Sequence, residues 1–381
     1  MMLTKPRLKP SHSVTRSAEG DIAIGELAKN SYIVRNPPEV FLDLLLLLDG
    51  TRTFPRIARA LQRKHDVSEE QIIKVVSQLA DAHLLDDGAL ESATLSSVEI
   101  ERYDRQQLQF SAYETQGAPG FRYQEKLKLQ LVCVLGMGGW GTWMSLNLAL
   151  AGFGTLRLVD ADFVEVSNLN RQVLYDNSSV GQPKVLAAKS ALARVNPHVN
   201  VEVVQEFVEP DPIQVAHIIE GASLICLCWA NQSHFVKGTA EQVLHQAALE
   251  RRIPIIEIAG DPFDIAIGPI YPNDGTGPCL KCVRPQMQKL WWGTGETVST
   301  LRKVSVQASP IRKVNAWQSA PSLSAIAGLA TNEALKIATG YTECGLLGKR
   351  LNINLESYAT SLDEFAPAPG CVWCSLIRTA E

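Results

Sequence analysis

Residues 131–141 read LVCVLGMGGWG. An apolar run ends in Gly136-x-Gly138-x-x-Gly141, and an apolar, helix-like stretch follows it. That order predicts a buried strand, a tight turn and a helix, with the turn built to hold phosphate. Gly136 permits the turn, Gly138 lets backbone approach the anion, and Gly141 lets helix and strand pack closely. The helix start then presents N–H groups without intrahelical partners. Asp160 lies 19 residues beyond Gly141, at the end of RLVD, where a carboxylate can accept hydrogen bonds from a ribose. Up to this point a dinucleotide cofactor and ATP fit equally well.

Outward from that turn, short apolar runs at 131–135, 155–159, 223–228 and 253–258 alternate with helical stretches at 140–151, 180–194 and 232–250. The rhythm predicts an α/β fold, a doubly wound and mostly parallel sheet of Rossmann type with helices on both faces. IAIGPIYP (265–272) reads as an added strand and 283–317 as a loop-rich stretch. SLSAIAGLATNEALKIATG (322–340) reads as a helix and RLNINLES (350–357) as a closing strand. Apolar residues make up 46% of the 381, enough for a sizeable core, and the length suggests more than one domain. The greasiest stretch, FLDLLLLLDG (41–50), is cut by Asp43, Asp49 and Gly50, far short of the roughly 20 residues of a membrane span. The N-terminus, MMLTKPRLKPSHSV, lacks the apolar segment of a signal peptide, so a cytoplasmic, reducing compartment and no membrane partner are expected. A net charge of −4 without a dense basic run gives a nucleic-acid partner no electrostatic support.

The segment after the ribose acid separates the two nucleotides. It reads DADFVEVSNLNRQVLYDNSSVGQPK (160–184). A dinucleotide needs little cationic help beyond its helix. Here Asn168, Arg171, Gln172 and Lys184 follow the acid, a set suited to a triphosphate and to the charge that builds at a reacting phosphorus. GMGGWG, then D-A-D, then SNLNRQ, then VGQPK resembles the ubiquitin-activating-type (E1-like, ThiF-type) adenylating enzymes, over roughly residues 100–381. The nearest relatives in that family serve molybdopterin, thiamine and peptide-antibiotic biosynthesis. The resemblance implies a dimeric α/β sheet that uses ATP with magnesium to adenylate a carboxylate. It places Gly136, Gly138, Gly139 and Gly141 along the phosphates and Asp160 and Asp162 at the nucleotide. Asn168, Arg171, Gln172 and Lys184 would surround the triphosphate. Arg105, in RYDRQ (102–106), would reach into the partner subunit's site. One position departs: the family's Asp-Asn pair after the fourth strand reads Ala230-Asn231 here. Asn231 remains for the nucleotide, the magnesium carboxylate is missing, and Asp261 and Asp264 are the nearest substitutes by sequence.

PCLKC (278–282) and GCVWC (370–374) each space two cysteines for one metal knuckle. One pair cannot complete a tetrahedral zinc. Cys279, Cys282, Cys371 and Cys374 together can, and four thiolates leave no open position, so the expected zinc is structural. The resemblance implies a zinc in the same place. Cys133, Cys226 and Cys228 lie in strand-like runs and are expected in the core. Several relatives carry a nucleophilic cysteine after the first CxxC, whereas this chain has none between Cys282 and Cys344. An acyl adenylate, without a thioester step, is the expected activated species.

Residues 1–92 are expected to form a separate module, and 93–381 the adenylation domain with its four-cysteine zinc site. DIAIGELAKNSYIV (21–34) reads as two short strands around a turn. Helices follow from Pro37-Pro38, from Thr53 and from Ser68. DGALESATLSSV (87–98) reads as a linker. The phrase LLDGTRTFPRIARAL…LADAHLL resembles the winged-helix peptide-recognition domains of ribosomal peptide maturation. Asp43, Asp49, Asp66, Glu69, Glu70 and Asp81 favour a peptide over DNA. The resemblance implies a precursor peptide whose leader adds a strand to the edge near 21–34.

The expected function is therefore ATP-dependent adenylation of a precursor-peptide carboxylate in a homodimer. The resemblance favours pantocin-type maturation, with dehydrative cyclisation at glutamate side chains, and the loss of the acid at Ala230 argues for divergence from the microcin C type. Microcin C-type nucleotidyl transfer to the peptide C-terminus is an alternative. So are a sulfur-carrier adenylyltransferase acting on a Gly-Gly tail and a non-catalytic peptide-binding scaffold.

Overall fold

The computed structural model describes residues 3–25, 31–229, 239–260, 263–292 and 318–378. It divides into two compact units, Met1–Lys126 with Thr339–Thr342, and Leu127–Ala338 with Glu343–Glu381. Among the described residues no helix is long and apolar enough to cross a membrane.

In the first unit β1 (Pro6–Leu8) pairs antiparallel with β5 (Leu85–Asp87). β2 (Val14–Arg16), β3 (Ile22–Ile24) and β4 (Tyr32–Val34) form a second antiparallel sheet in that order. The sequence showed β3 and β4. β1, β2 and β5 (PRL, VTR and LDD) mix polar or proline residues into three positions and lack the apolar runs IAI and YIV that mark β3 and β4. The helices α1 (Glu39–Leu47), α2 (Phe54–Gln62) and α3 (Glu69–Asp81) stand where proline and capping residues announce them. Ser68 closes a capping box with Gln71. Thr53 occupies the cap of α2, but its side chain makes no capping hydrogen bond. Ile57, Ala58 and Leu61 from α2 meet Ile72 and Leu79 from α3 and Ile22 and Ile24 from β3 in one core. Burying each large aliphatic side chain contributes roughly 1.5–3 kcal/mol. α4 (Ser97–Arg102), α5 (Asp104–Tyr113) and the start of α6 (Phe121–Lys128) complete the unit. Buried Lys9 pairs with Glu114, whose Oε2 also accepts from the Tyr123 hydroxyl at 3.2 Å and from Gln116 N at 2.8 Å. These added donors make a buried ion pair tolerable.

The second unit holds an eight-stranded sheet in the order β13-β12-β11-β10-β9-β6-β7-β8. Its strands are β6 (Leu131–Leu135), β7 (Thr155–Val159), β8 (Asn200–Val204), β9 (Leu224–Leu227), β10 (Ile255–Gly260), β11 (Asp264–Tyr271), β12 (Lys349–Asn354) and β13 (Thr360–Glu364). From β10 through β8 every pairing is parallel; β11, β12 and β13 are added antiparallel. The helices are α7 (Gly139–Ala151), α8 (Lys184–Val195), α9 (Pro212–Ile218), α10 (Ala240–Glu250), α11 (Leu280–Trp292), α12 (Ala320–Thr339) and α13 (Val372–Arg378). From β6 the chain winds to β7 and β8 on one side, then returns to β9 and β10 on the other. The glycine turn thus sits at the carboxyl end of β6, where the winding reverses and where such sheets bind ligands.

Two sequence expectations change. The loop-rich stretch from 283 begins as helix: α11 runs on to Trp292 with Pro285 inside it. Its start is fixed by Cys279 O, which accepts from Cys282 N and Val283 N at 2.9 and 3.0 Å. The Gln286 side-chain amide adds a hydrogen bond to Cys282 O at 2.8 Å. The closing strand ends at Asn354, and β13 follows as a polar edge strand with no apolar run to mark it.

Candidate active site

The four glycines of the turn differ in what surrounds them. Gly136 has φ +93°, and a Cβ there would lie 3.1 Å from backbone atoms of Cys228 and Trp229 just past β9. A Cβ on Gly141 would overlap Gly136 O at 1.8 Å, and one on Gly139 would press on Leu323 Cδ1 at 2.6 Å. Beside Gly138 the space is open: the nearest atom to a Cβ would be Gln172 Nε2, at 4.0 Å. Backbone packing therefore demands Gly136 and Gly141, Gly139 meets only side-chain ends that can move, and Gly138 borders room for a ligand at the start of α7. Gly138 stands at the cap of that helix and provides no side-chain cap, which suits an incoming anion.

The predicted acids and cations gather on this turn. Met137 N donates to Asp160 Oδ2 at 2.6 Å, and Asp162 N to Asp160 Oδ1 at 2.8 Å. Lys184 Nζ donates to Asp162 Oδ2 at 2.9 Å. Lys184 is buried and Asp162 exposed, and an ammonium with three donors keeps capacity for an anion after that one bond. Arg171 Nη1 donates to Ser167 O at 2.6 Å, and its Nε is buried without a hydrogen-bond partner among the described residues. Gln172 is buried beside Gly138, and its Oε1 is likewise unpartnered. Unsatisfied buried groups cost about 1–3 kcal/mol each, and the Gln172 amide also faces the open space beside Gly138, so the residues present fit a bound nucleotide. Asn168 shapes the turn: its Oδ1 accepts from Glu165 N at 3.0 Å.

Two supporting residues carried no signal in the sequence. Tyr175 donates its hydroxyl to Met137 O at 2.8 Å. Burial, then the charges of Asp160 and Asp162, push its phenol well above the ordinary range, so it stays a neutral donor. Trp143 Nε1 donates to Arg171 O at 3.1 Å. Their partners are backbone carbonyls, and carbonyl contacts leave no residue pattern to read.

Arg105 lies on α5 with an exposed side chain, 3.3 Å from Asp104. Ala230, Asn231 and Asp261 lie outside the described residues. Asp264 begins β11, and its Oδ1 accepts from Asn354 Nδ2 at 2.7 Å. Among the described residues no group of three potential metal ligands lies at the glycine turn; the carboxylates there are Asp160 and Asp162.

The four predicted cysteines meet. Cys279 Sγ lies 3.7 Å from Cys282, 3.6 Å from Cys371 and 3.5 Å from Cys374, and Cys282 lies 3.5 Å from Cys374. Four sulfurs at about 2.3 Å from one tetrahedral zinc would be about 3.8 Å apart, so the group fits a structural zinc. Ala368 N donates to Cys282 Sγ at 3.2 Å, as outer-shell donors to metal thiolates do. Burial pushes the Cys282 thiol up to about 11 and the Cys279 thiol further. Cys133 of β6, Cys226 of β9 and Cys228 just past β9 are buried.

Residues 103–372 match the ThiF family. The chain belongs to that family. Membership places it among the adenylating enzymes, as its glycine turn and SNLNRQ segment implied. Residues 11–69 of this ThiF-family chain match the PaaA-like N-terminal domain. It is similar to the crystal structure of PaaA, at 38% identity and a TM-score of 0.76, over 94% of this chain and 99% of that one. It shares its fold with Escherichia coli MccB solved with ATP, at 20% identity and a TM-score of 0.72, over 97% of this chain and 99% of that one. The molybdopterin-synthase adenylyltransferase of Escherichia coli (strain K12) is 30% identical over 287 residues, 74% of this chain and 99% of that relative.

Proposed function

We propose that this ThiF-family chain uses ATP to adenylate a carboxylate of a ribosomally made precursor peptide, leading to dehydrative cyclisation at glutamate side chains of the pantocin type. One observation carries the reading: a PaaA-like N-terminal domain and a ThiF-type nucleotide turn occur in one chain that resembles PaaA over 94% of its length.

The triphosphate lies in the open space beside Gly138, at the start of α7. Lys184, Arg171 and Gln172 offset its charge, Asp160 and Asp162 hold the nucleotide from the next strand, and Asn231 follows β9. Arg105 enters from the second copy in a homodimer. Magnesium, when it accompanies ATP, supplies further charge neutralisation. The peptide carboxylate is ionised at neutral pH and needs no general base. Its oxygen attacks the α-phosphorus, the bond to the bridging oxygen breaks, and pyrophosphate leaves with the electron pair. Positioning and charge stabilisation are the chemistry the protein supplies. A nearby peptide nitrogen or carbon then attacks the acyl carbon. AMP departs, the nucleophile loses its proton, and the peptide loses the elements of one water per ATP.

Residues 1–92 hold the leader as a winged-helix recognition module. The outer edge of β4 has no partner strand among the described residues. A groove of about 580 Å³ beside it is lined by Tyr32, Val34, Phe41, Val75 and Gln78 among others. A free edge and an apolar groove suit an extended segment that adds a strand and seats alternate side chains. The zinc at the four cysteines is structural, and the protein works in the cytoplasm.

A second reading is supported by the molybdopterin-synthase adenylyltransferase, which is matched over 99% of its length: a carrier protein's C-terminal carboxylate as substrate. Pyrophosphate exchange and mass spectrometry separate the two. Exchange that requires a leader-bearing peptide, with loss of water from that peptide, supports the proposal. Exchange with a Gly-Gly carrier supports the second reading. Gain of a nucleotide mass supports microcin C-type transfer, and no exchange with any substrate sinks all three.

A further inference from the structure

Glu241 and His245 lie one turn apart on α10 and converge with Glu257 of β10. The three are buried at 0%, 2% and 4% exposure, and one ligand atom from each lies within 4.8 Å of the others. The nucleotide turn and the four cysteines do not use them. We propose that Glu241, His245 and Glu257 bind a divalent first-row cation as a second, structural metal site.

The argument rests on the histidine and on a tyrosine beside it. Among the described residues neither nitrogen of His245 has a hydrogen-bond partner, and neither has the fully buried hydroxyl of Tyr271 on β11. The two rings meet edge-on, with centroids 4.6 Å apart. Burial pushes the Tyr271 phenol well up, and the charges of Glu257 and then Glu241 add to the shift, which places the ring's field next to both carboxylates. A dry imidazole with both nitrogens unmatched destabilises a fold unless something fills the gap. His245 Nε2 stands 3.2 Å from Glu257 Oε1, yet the pair lacks hydrogen-bond geometry. Nitrogen and oxygen ligands at about 2.0–2.2 Å from one ion, at tetrahedral or octahedral angles, lie about 2.8–3.6 Å apart. The observed separation is that of neighbouring ligands.

Two carboxylates and an imidazole suit zinc, manganese or iron(II), in contrast to the all-sulfur set of the cysteine knuckle. Two guanidiniums border the group. Arg284 Nη2 is 4.0 Å from Glu241 Oε2, beyond hydrogen-bond reach. Arg350 donates to Asn352 Oδ1 at 3.0 Å and to Gly268 O at 3.3 Å. They define the rival account, a charge-balanced cluster without an ion, which leaves His245 unmatched. An ion here would pin α10 to β10. Leu249, on the same helix, packs against Cys279, Cys282 and Cys374, so the second ion would also steady the wall of the first site.

The test is a metal count on the purified full-length chain. Protein is dialysed in turn against micromolar zinc, manganese and, without air, iron(II), and bound metal is measured by plasma mass spectrometry. Two ions per chain are expected with at least one of these metals. His245→Gln and Glu257→Gln should each lose one ion while keeping the thiolate-bound zinc, which a cobalt-substituted sample reports through its sulfur-to-metal absorption. A wild-type chain that holds the cysteine-bound ion alone under all three conditions overturns the proposal. So do two variants that still hold both ions. The wild-type count decides the matter even if a variant fails to fold.

Discussion

Met137 donates its backbone N–H to Asp160 Oδ2 at 2.6 Å, so the acid expected at the ribose also clamps the glycine turn. Asp160→Ala should therefore weaken nucleotide use and stability together. A hydrogen bond to a charged group contributes about 1.5–3 kcal/mol, so a stability loss of about 1–3 kcal/mol is expected, with KM for ATP up roughly tenfold or more. Thermal melts and pyrophosphate exchange measure the two. A change in KM with no loss of stability would show that the clamp contributes nothing to the fold.

The glycines make a sharper contrast. Gly141→Ala puts a methyl 1.8 Å from a backbone oxygen, and the helix must shift; misfolding or a loss above about 3 kcal/mol is expected. Gly138→Ala enters open space, so stability should change by less than about 1 kcal/mol. ATP binding should still fall sharply, because the methyl occupies the phosphate's place. Calorimetric titration with a non-hydrolysable ATP analogue reports it, and undiminished affinity in Gly138→Ala would remove the phosphate from that spot.

Lys184→Ala and Arg171→Ala test the charge argument. Asp162 is exposed, so losing its partner should cost under about 1 kcal/mol. Exchange should fall about 10²–10³-fold in either variant, the usual scale for a group that stabilises developing charge. Normal exchange in the double variant would contradict the proposed role.

The zinc site should be acid-sensitive. Burial raises the Cys279 and Cys282 thiols while hydrogen bonds lower Cys371 to about 7, so binding zinc must displace thiol protons. Zinc affinity therefore rises with pH and weakens as pH falls. Competition with a chromogenic chelator at pH 6 and pH 8, corrected for the chelator's own protonation, should show faster loss at pH 6, with the melting temperature falling as metal leaves. Equal retention at both values would mean the thiols are already ionised.

Val75 lines the groove beside β4 and is only half-buried. Val75→Asp should lower affinity for a leader-bearing peptide about tenfold or more while leaving nucleotide binding intact. Fluorescence anisotropy of a labelled leader reads the first and analogue titration the second. Unchanged leader affinity would move the peptide to another surface.

The sequence alone fixed whatever depends on local pattern. The run 131–135 and the glycine spacing located β6, the turn and α7, because a buried strand and a helix start leave periodicity and punctuation. Asp160, Arg171, Gln172 and Lys184 stood out because charged and amide groups are costly to gather without a ligand. The paired CxxC turns marked Cys279, Cys282, Cys371 and Cys374 as one group before any sulfur was placed. The proline-containing β1 and the polar edge β13 stayed hidden, since neither carries an apolar run like those of β3 and β4. Tertiary structure alone decided which glycines packing requires and which borders open space, and it alone brought Glu257 of β10 to Glu241 and His245 of α10. Those relations join residues distant in the chain, and they follow from how strands and helices pack once the core has closed.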